Sequence, residues 1–507
     1  MSAAAARRVR LQPQVHAALR RAAGLRASPV WLVGGAVRDA ALGRPLTDLD
    51  LATVDARALA ALISRAFQGT LVTLDAENAV FRLVLPSARW RTLKQIDVAE
   101  IQGRGIEEDL ARRDFTVNSL ALLLRPDLPA AIPRTDFLDP RGGLADLDRG
   151  VLRCADERLL KEDPLRLLRA FRIAAQAGLV IDAATLALIG KHRRLARAPA
   201  AERVCAELLS LLALPGASAW LARMDECGLL TALFEELEPA RRCAEIYYGP
   251  GGVLKHSLEV CARVDFLLTN LRKIYPALAR PLEEHFAARA AGGAPYRAVI
   301  MLAALLHDVA KPETARTIDG RLRFFEHDAR GASRSQKILR SLRLSSDQVE
   351  AVAVMVRHHL RPGHLACGGG ASDRAVYRFF RDLGEHAPGL LALCWGDHAS
   401  YMPEPRLARL LGAACAEPPR CVSRIRPEET RKTVRHLQLV SMLLRRFFDQ
   451  DRAPVPVRLL NGNEVMKALR IPPGPRIGEI LERLREAQAE GKVLSREQAL
   501  AFIARLK

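Results

Sequence analysis

The sequence predicts an α+β chain in which a small mixed-sheet head is followed by an elongated all-α neck, body and tail. Three observations predict it. Short β-like runs are confined to residues 30–125, leucines recur at helical spacing from about residue 156 onward, and aromatic residues make up only 5% of the chain, few for a sandwich or barrel. At 507 residues the chain is too long for one hydrophobic core, so roughly three to four packed units are expected.

Taken in order, residues 1–29 are read as a basic leader helix, because MSAAAARRVRLQPQV has neither an acidic residue nor the apolar stretch of a secretory signal. Residues 30–155 form the head: VWLVGG, DLDLAT, AVFRLVL and KQIDVAEI read as strands, and ARALAALISRAF carries its apolar residues at helical spacing. Residues 156–245 form a helical neck and body, from ERLLKEDPLRLLRAFRIAAQAG to AERVCAELLSLLAL. A histidine-rich unit occupies 246–400, with glycine-bearing loops expected at ARAAGGAP (288–295) and CGGGAS (367–372). Residues 401–507 are helical and basic, and the prolines of IPPGPRIGEI force a turn before a last set of helices.

Composition narrows the function classes. The 77 Lys and Arg against 57 Asp and Glu leave a net charge of +20, a field that attracts phosphate backbones, so nucleic acid is the expected partner. Nine cysteines lie scattered without a CxxC pair, which argues against a disulfide framework or zinc ribbon and for a reducing, cytoplasmic setting. No apolar run approaches the roughly 18 residues needed to cross a bilayer, so no membrane association is expected.

The strongest chemical signal is VGGAVRDAALGRPLTDLDLAT, residues 33–53. Asp48 and Asp50 are two apart, so on a strand both carboxylates leave the same face, about 6–7 Å apart at the backbone. Such a pair can hold two Mg²⁺ ions roughly 3.5–4 Å apart, one activating a hydroxyl and one clamping a triphosphate. Asp97, in KQIDVAEI on a second strand, is the candidate third ligand, with Glu100 after it. Gly34 and Gly35 end a strand and let backbone N–H groups approach phosphate, with Arg38 one helical turn on.

That segment, followed by EEDLARRDFTVNSLAL, resembles the head of the class II CCA-adding enzymes and bacterial poly(A) polymerases, members of the DNA polymerase β-like nucleotidyltransferase superfamily. DPRGGLADLDRGVLR (139–153) and EDPLRLLRAFRIAAQ (162–176) resemble the next two motifs in order, and the likeness runs from residue 30 to about 240. It implies a nucleotidyltransferase that moves CMP or AMP from CTP or ATP to an RNA 3′-hydroxyl, with tRNA as the partner. It assigns Mg²⁺ to Asp48 and Asp50, and the incoming nucleotide to Gly35, Arg38 and Arg113.

In the neck, a helix expected to begin near Glu162 would carry Glu162, Arg166 and Arg169 on one face, flanked by Asp163 and Arg172. A carboxylate accepts from an exocyclic amino group while a guanidinium donates to a ring nitrogen, so an Asp and Arg pair can select C or A over U and G. Alone, Asp163 and Arg166 would read as a surface ion pair. The resemblance makes Glu162, Asp163 and Arg166 the base-reading motif and gives phosphate or base contacts to Arg169 and Arg172. One departure bears on the product: only Ile101 to Ile106 (IQGRGI) separate the third-carboxylate strand from the EEDL motif, where many CCA-adding enzymes have a dozen or more residues. This short segment resembles enzymes that add only part of the CCA end, such as CC-adding enzymes, whereas the rest of the resemblance implies synthesis or repair of the CCA end.

The histidine-rich unit sets His256, His307, Asp308, His327, His358, His359 and Asp397 in an H…HD…H…HH…D order. Mixed imidazole and carboxylate ligands suit Mn²⁺, Fe²⁺, Ni²⁺ or Mg²⁺ rather than a structural zinc. The order resembles the HD superfamily of metal-dependent phosphohydrolases. The tail, LLNGNEVMKALRIPPGPRIGEILERLREAQAEGKVLSREQALAFI, resembles helices that bind the tRNA elbow in related bacterial enzymes. Two alternatives share these residues: a poly(A) polymerase acting on RNA 3′ ends, and an HD phosphohydrolase whose head serves only to bind RNA.

Overall fold

The computed structural model describes residues 8–26, 28–288, 295–367, 372–416, 421–449 and 456–506. The expected glycine loops at 288–295 and 367–372, and the first residues of the leader, fall largely outside the described residues. The chain divides into two compact units, one of residues 1–207 and 226–232 and another of residues 208–225 and 233–507.

The described residues of the first unit hold eleven short strands: β1 (Arg8–Arg10), β2 (Trp31–Val33), β3 (Asp48–Thr53), β4 (Thr70–Asp75), β5 (Val80–Val84), β6 (Gln95–Glu100), β7 (Ala121–Leu123), β8 (Ala131–Pro133), β9 (Phe137–Leu138), β10 (Val151–Leu152) and β11 (Val180–Ile181). Seven of them make one mixed sheet in the order β4-β5-β6-β3-β2-β7-β9. The strand β3 alternates as its sequence dictates: Leu49 and Leu51 are buried while Asp48 and Asp50 leave the other face. It pairs in parallel with β6, which sets Asp50 opposite Asp97. The leader does not stand apart as a helix, since β1 pairs antiparallel with β8 before helix α1 (Pro13–Ala23) begins.

Helix α2 (Gly34–Ala41) follows β2 directly. Its turn requires glycine: Gly34 has φ +67°, and a Cβ there would stand 2.7 Å from the Arg113 guanidinium. Helix α3 (Ala56–Phe67) buries Leu59, Ala60, Ile63 and Phe67, and Asp55 caps it by accepting from the Ala58 N–H at 3.1 Å. A short α4 (Ile106–Ala111) and α5 (Gly143–Arg149) complete the head. The neck holds α6 (Glu157–Glu162), α7 (Leu165–Ala177), α8 (Ala183–His192) and α9 (Ala201–Leu212).

The second unit is helical apart from one hairpin, Ala315–Ile318 with Arg321–Phe324. Its long helices Gly252–Thr269, Tyr296–Leu306, His327–Ser341, Ser346–His358 and Ala387–Ser400 bury apolar faces among one another. Tyr296–Leu306 is buried on all sides, as expected of a central helix. The last three helices, Gly462–Leu469, Pro475–Ala489 and Arg496–Ala504, gather a core of their own around Val465, Leu469, Leu484 and Ile503. They are tied to helix Asp373–Leu383 by Arg374 and Arg378, which both grip the buried Glu486 carboxylate. No helix of the described residues is long and apolar enough to cross a membrane.

Candidate active site and metal centre

The β2–α2 turn, the β3 and β6 carboxylates and the neck arginines meet in one cleft of about 600 Å³, lined by Gly34, Gly35, Arg38, Asp50, Asp97, Arg112, Arg113, Asp114, Asn118, Arg166, Arg169, Arg172, Ile173 and Glu207. Asp48 is exposed one register step from Asp50. Burial, reinforced by the neighbouring Asp97, pushes the Asp50 carboxyl up to about 6. Carboxylates crowded in this way are stabilised by a cation between them, which is the fit a divalent ion requires. Part of that charge is already met, because Arg82 donates to both Asp97 oxygens at 2.8 and 2.7 Å. Glu100 turns elsewhere and accepts from the Ala56 N–H at 2.7 Å, at the start of α3.

The basic groups of the cleft are held in a relay. Arg38 donates to Asp39 at 2.9 Å and to Asn118 Oδ1 at 2.8 Å. Asn118 in turn donates to Asp114 at 3.0 Å, and Asp114 meets Arg169 at 3.4 Å. Arg169 and Arg172 converge on Glu207, which accepts from Arg169 Nε at 3.0 Å and from Arg172 Nε at 2.5 Å. Arg113 is braced by Asp109 at 2.9 Å. These are bidentate or charge-assisted bonds, so the cleft presents fixed cations rather than loose ones.

The neck helix does not run through from Glu162. The Asp163–Pro164 step breaks it, because proline lacks the N–H that would continue α6 and restricts the residue before it. Glu162 therefore ends α6, and α7 starts at Leu165. Glu162 and Asp163 are not among the cleft-lining residues. Asp163 pairs with Arg203 at 2.8 Å rather than with Arg166. Burial is the largest single influence and opposes its charge, but the Arg203 bond, the charges of Arg203 and Arg169 and the Leu165 N–H together outweigh it and lower its pKa. Arg166 donates to the carbonyls of Leu159 at 2.9 Å and Arg112 at 3.3 Å.

The short segment after β6 is pinned at each step. The Ile101 N–H donates to the Thr53 carbonyl at 2.8 Å, the Gln102 N–H to Asp109 at 3.2 Å and the Arg104 N–H to Glu108 at 2.9 Å. Ile101 and Ile106 both pack on the core of Val33, Ala52, Leu110 and Ala121.

In the second unit six of the predicted ligands converge. His256, His307 and Asp397 form one group, and Asp308, His327 and His359 another, with ligand atoms within 4.8 Å of one another in each. Asp308 lies between them. Its Oδ2 is 3.1 Å from His307 Nε2 and 3.6 Å from His256 Nε2, and its Oδ1 is 3.5 Å from His327 Nε2 and 3.8 Å from His359 Nε2. Three of the four imidazoles are aimed by their other nitrogen: Nδ1 meets the carbonyl of Ala304 in His307, of Phe324 in His327 and of Val356 in His359, at 2.8, 2.6 and 2.6 Å, while His256 Nδ1 faces the Ser400 hydroxyl at 3.4 Å. That pattern is how metal-binding histidines are oriented. Nε2 of His256, His307 and His327, both Asp308 oxygens and Asp397 Oδ1 are buried without a hydrogen bond of normal geometry among the described residues. Burial brings the His359 imidazole down to about 4, so it is neutral and free to donate a lone pair.

Residues 30–153 match the poly A polymerase head domain, 178–241 the family described as "Probable RNA and SrmB- binding site of polymerase A", and 277–416 the HD domain. The chain is 34% identical over 479 residues to a CC-adding tRNA nucleotidyltransferase of Thermus thermophilus, covering 93% of this chain and 92% of that protein. The chain belongs to the class II tRNA nucleotidyltransferase family. It is 32% identical over 485 residues to an A-adding tRNA nucleotidyltransferase of Deinococcus radiodurans, covering 94% of each. Its fold matches that of the Thermotoga maritima CCA-adding enzyme complexed with tRNA, with a TM-score of 0.60 at 19% identity over 98% of this chain and 97% of that one.

Within this nucleotidyltransferase the structure gathers Gly34, Gly35, Arg38, Asp50, Asp97, Arg113, Arg166, Arg169 and Arg172 around one cleft. His358 is a correction: although next to His359, it points away from the ligand cluster, as successive helical residues lie about 100° apart. Its charged neighbours are Arg361, Arg357, Asp382 and Asp328. Sequence reasoning passed over Arg82, Arg203, Glu207 and Lys311. Lys311 had a signal, three residues after Asp308, where a helical turn returns its ammonium to within 2.6 Å of Asp308 Oδ2. Arg82 and Glu207 had none, since each meets its partners through tertiary pairing.

Proposed function

We propose that this tRNA nucleotidyltransferase transfers CMP from CTP to the 3′ end of cytoplasmic tRNA, stops after CC, and carries an HD phosphoesterase that restores blocked 3′ ends. In this reading the head (30–155) performs transfer, the neck and body (156–245) select the base, the HD unit (246–400) cleaves phosphoesters and the tail (401–507) binds tRNA. The observation that carries transfer is the pair Asp50 and Asp97 lining a cleft of ordered arginines, with Asp48 two residues before Asp50 on the same strand.

Both domain types use divalent metal. Asp48, Asp50 and Asp97 would hold Mg²⁺, which when bound activates the attacking 3′-hydroxyl and clamps the triphosphate. Gly34 and Gly35 leave room for phosphate against the start of α2, and Arg38 and Arg113 neutralise it from opposite sides of the turn. Asp163 and Arg166 select the base, which requires Asp163 to exchange Arg203, and Arg166 the Leu159 and Arg112 carbonyls, for the base edge. Arg169 and Arg172, steadied by Glu207, complete the cationic wall.

The stop at CC rests on the segment after β6. Six residues tied at three N–H groups and anchored at both isoleucines have no slack to reshape the base site once CC has been added. Since an A-adding relative is nearly as similar as a CC-adding one, the test supplies labelled CTP and ATP, singly and together, to tRNA ending at the discriminator base, at C and at CC. Two cytidines and no adenosine are expected. Complete CCA, or A added to tRNA already ending in CC, refutes the product assignment.

At the HD centre His256, His307, Asp308, His327, His359 and Asp397 would hold Mn²⁺, Fe²⁺ or Ni²⁺, and the buried inward atoms of His256, His307, His327 and Asp397, with Asp308 Oδ1, support that fit. A bound ion supplies water of lowered pKa as a nucleophile. The substrate class is a 2′,3′-cyclic phosphate or 3′-phosphate, a terminus the head cannot extend. Phosphatase and cyclic phosphodiesterase assays on metal-retaining protein, with bound Mn, Fe and Ni measured, test this assignment. Inactivity after Mn²⁺ or Ni²⁺ is supplied would make the HD unit structural.

A further inference from the structure

The HD centre opens into a cleft of about 450 Å³, and its rim is aromatic to a degree the rest of the surface is not. The chain has 15 Phe, 6 Tyr and 4 Trp. Among the described residues only three of these are exposed, Phe325 at 65%, Tyr247 at 54% and Tyr401 at 54%, and all three line this one cleft. Large exposed rings gathered on one rim signal a recognition surface rather than scatter.

The rings are fixed to the metal centre by the elements that carry its ligands. Phe325 lies between the hairpin strand Arg321–Phe324 and the helix that opens with His327. Tyr401 ends the helix bearing Asp397, with its ring 5.4 Å from that of His256. The Tyr247 hydroxyl donates to the Leu322 carbonyl of the hairpin at 3.3 Å. Two cations complete the lining. Lys311 is bound inward to Asp308, while Arg323 is exposed and has no carboxylate partner among the described residues. A flat apolar body held by rings, an anionic group reaching the ions and an unspent guanidinium between them describe a nucleotide.

Resting on the phosphoesterase reading of this centre, we infer that Phe325, Tyr247 and Tyr401 form a base-stacking rim that makes the HD cleft selective for nucleotide phosphoesters, with Arg323 on the phosphate. The rim fits a splayed terminal nucleotide of single-stranded RNA and tolerates any base, because stacking uses the ring face alone.

The test is calorimetric binding, on the full Mn²⁺-supplied chain, of cytidine 2′,3′-cyclic phosphate and of glycerol 1,2-cyclic phosphate, which lacks a base. Phe325→Ala and Tyr247→Ala are each expected to weaken the nucleotide by about fivefold or more and to leave the glycerol ester unchanged. Phe325→Trp should keep the affinity. Phe325 and Tyr247 are each more than half exposed, so neither substitution removes a core residue. Unchanged nucleotide affinity, or equal loss for both probes, overturns the inference, the former leaving the rim as a protein-docking surface. If the binding pattern holds while no ester is hydrolysed, the phosphoesterase reading falls and the nucleotide site stands.

Discussion

The two sites treat charge in opposite ways. In the head cleft nearly every ionic group already has a protein partner: Arg82 with Asp97, Arg38 with Asp39 and Asn118, Arg113 with Asp109, Arg169 and Arg172 with Glu207. In the HD centre the inward atoms of His256, His307, His327, Asp308 and Asp397 meet mainly one another. A cleft with satisfied groups keeps its shape without ligand and exchanges partners as nucleotide and RNA come and go. A buried cluster of lone pairs without hydrogen-bond donors is costly without an ion, so a metal held there would belong to the folded state as well as to the chemistry. The comparison predicts distinct responses to the loss of one carboxylate, of metal and of one internal partner.

The largest effect is expected from Asp50→Ala. Removing a central carboxylate from the proposed ion site should lower single-turnover CMP incorporation by about a thousandfold or more, while filter binding of tRNA stays within a few fold. The HD phosphoesterase should be untouched. Incorporation at the native rate would remove the two-ion mechanism.

Metal removal should act in reverse order. Chelation followed by dialysis is expected to lower the thermal midpoint of the second unit by about 5 °C or more, as for any ligand bound only by the native state, and Mn²⁺ should restore it. The midpoint of the first unit should move little, because Asp97 keeps its Arg82 partner without an ion. Asp308→Ala should abolish the re-stabilisation by Mn²⁺, since both ligand groups lean on that carboxylate. Equal sensitivity of the two units would break the comparison.

A smaller effect is expected at Glu207. Changing it to Gln keeps its shape but removes the charge that Arg169 and Arg172 share, so KM for CTP should rise about tenfold with kcat nearly constant. A fall in kcat alone would place Glu207 in the chemistry instead of behind the arginines.

How much of this was legible in the sequence depended on the distance over which each contact is made. The strand DLDLAT and the helix ARALAALISRAF fall where alternation and 3.6-residue spacing place them. Asp48 and Asp50 were legible because their geometry is internal to one strand, and the HD ligands because their types recur in one order along the chain, within or at the ends of helices. The Glu162 helix was misjudged: leucine spacing continues across Asp163–Pro164 although the backbone cannot. His358 and His359 are adjacent letters, and only the helix phase decides between them. The partners of Asp97, Asp163, Arg169 and Arg172 come from β5 and α9, 15 to 40 positions away, where no local pattern points.

The smallest effect is expected at Glu108, and it separates two explanations of the proposed stop at CC. Glu108 accepts from the Arg104 N–H at 2.9 Å and from the Arg104 side chain at 2.5 Å, and these bonds hold its carboxyl below the usual range. Both groups are largely in water, so Glu108→Ala should leave the thermal midpoint unchanged within error. It does cut one of the tethers between β6 and α4. If the stop arises from the tether, the variant should begin to add A to tRNA ending in CC. If it arises from length, the four residues between anchored Ile101 and Ile106 still cannot reach over the base site, and the variant should stop at CC like the native enzyme. The isoleucine anchors and the remaining bonds from Ile101 and Gln102 favour length. We therefore expect no gain of A in primer extension with ATP, and a rate of CMP addition within about threefold of native.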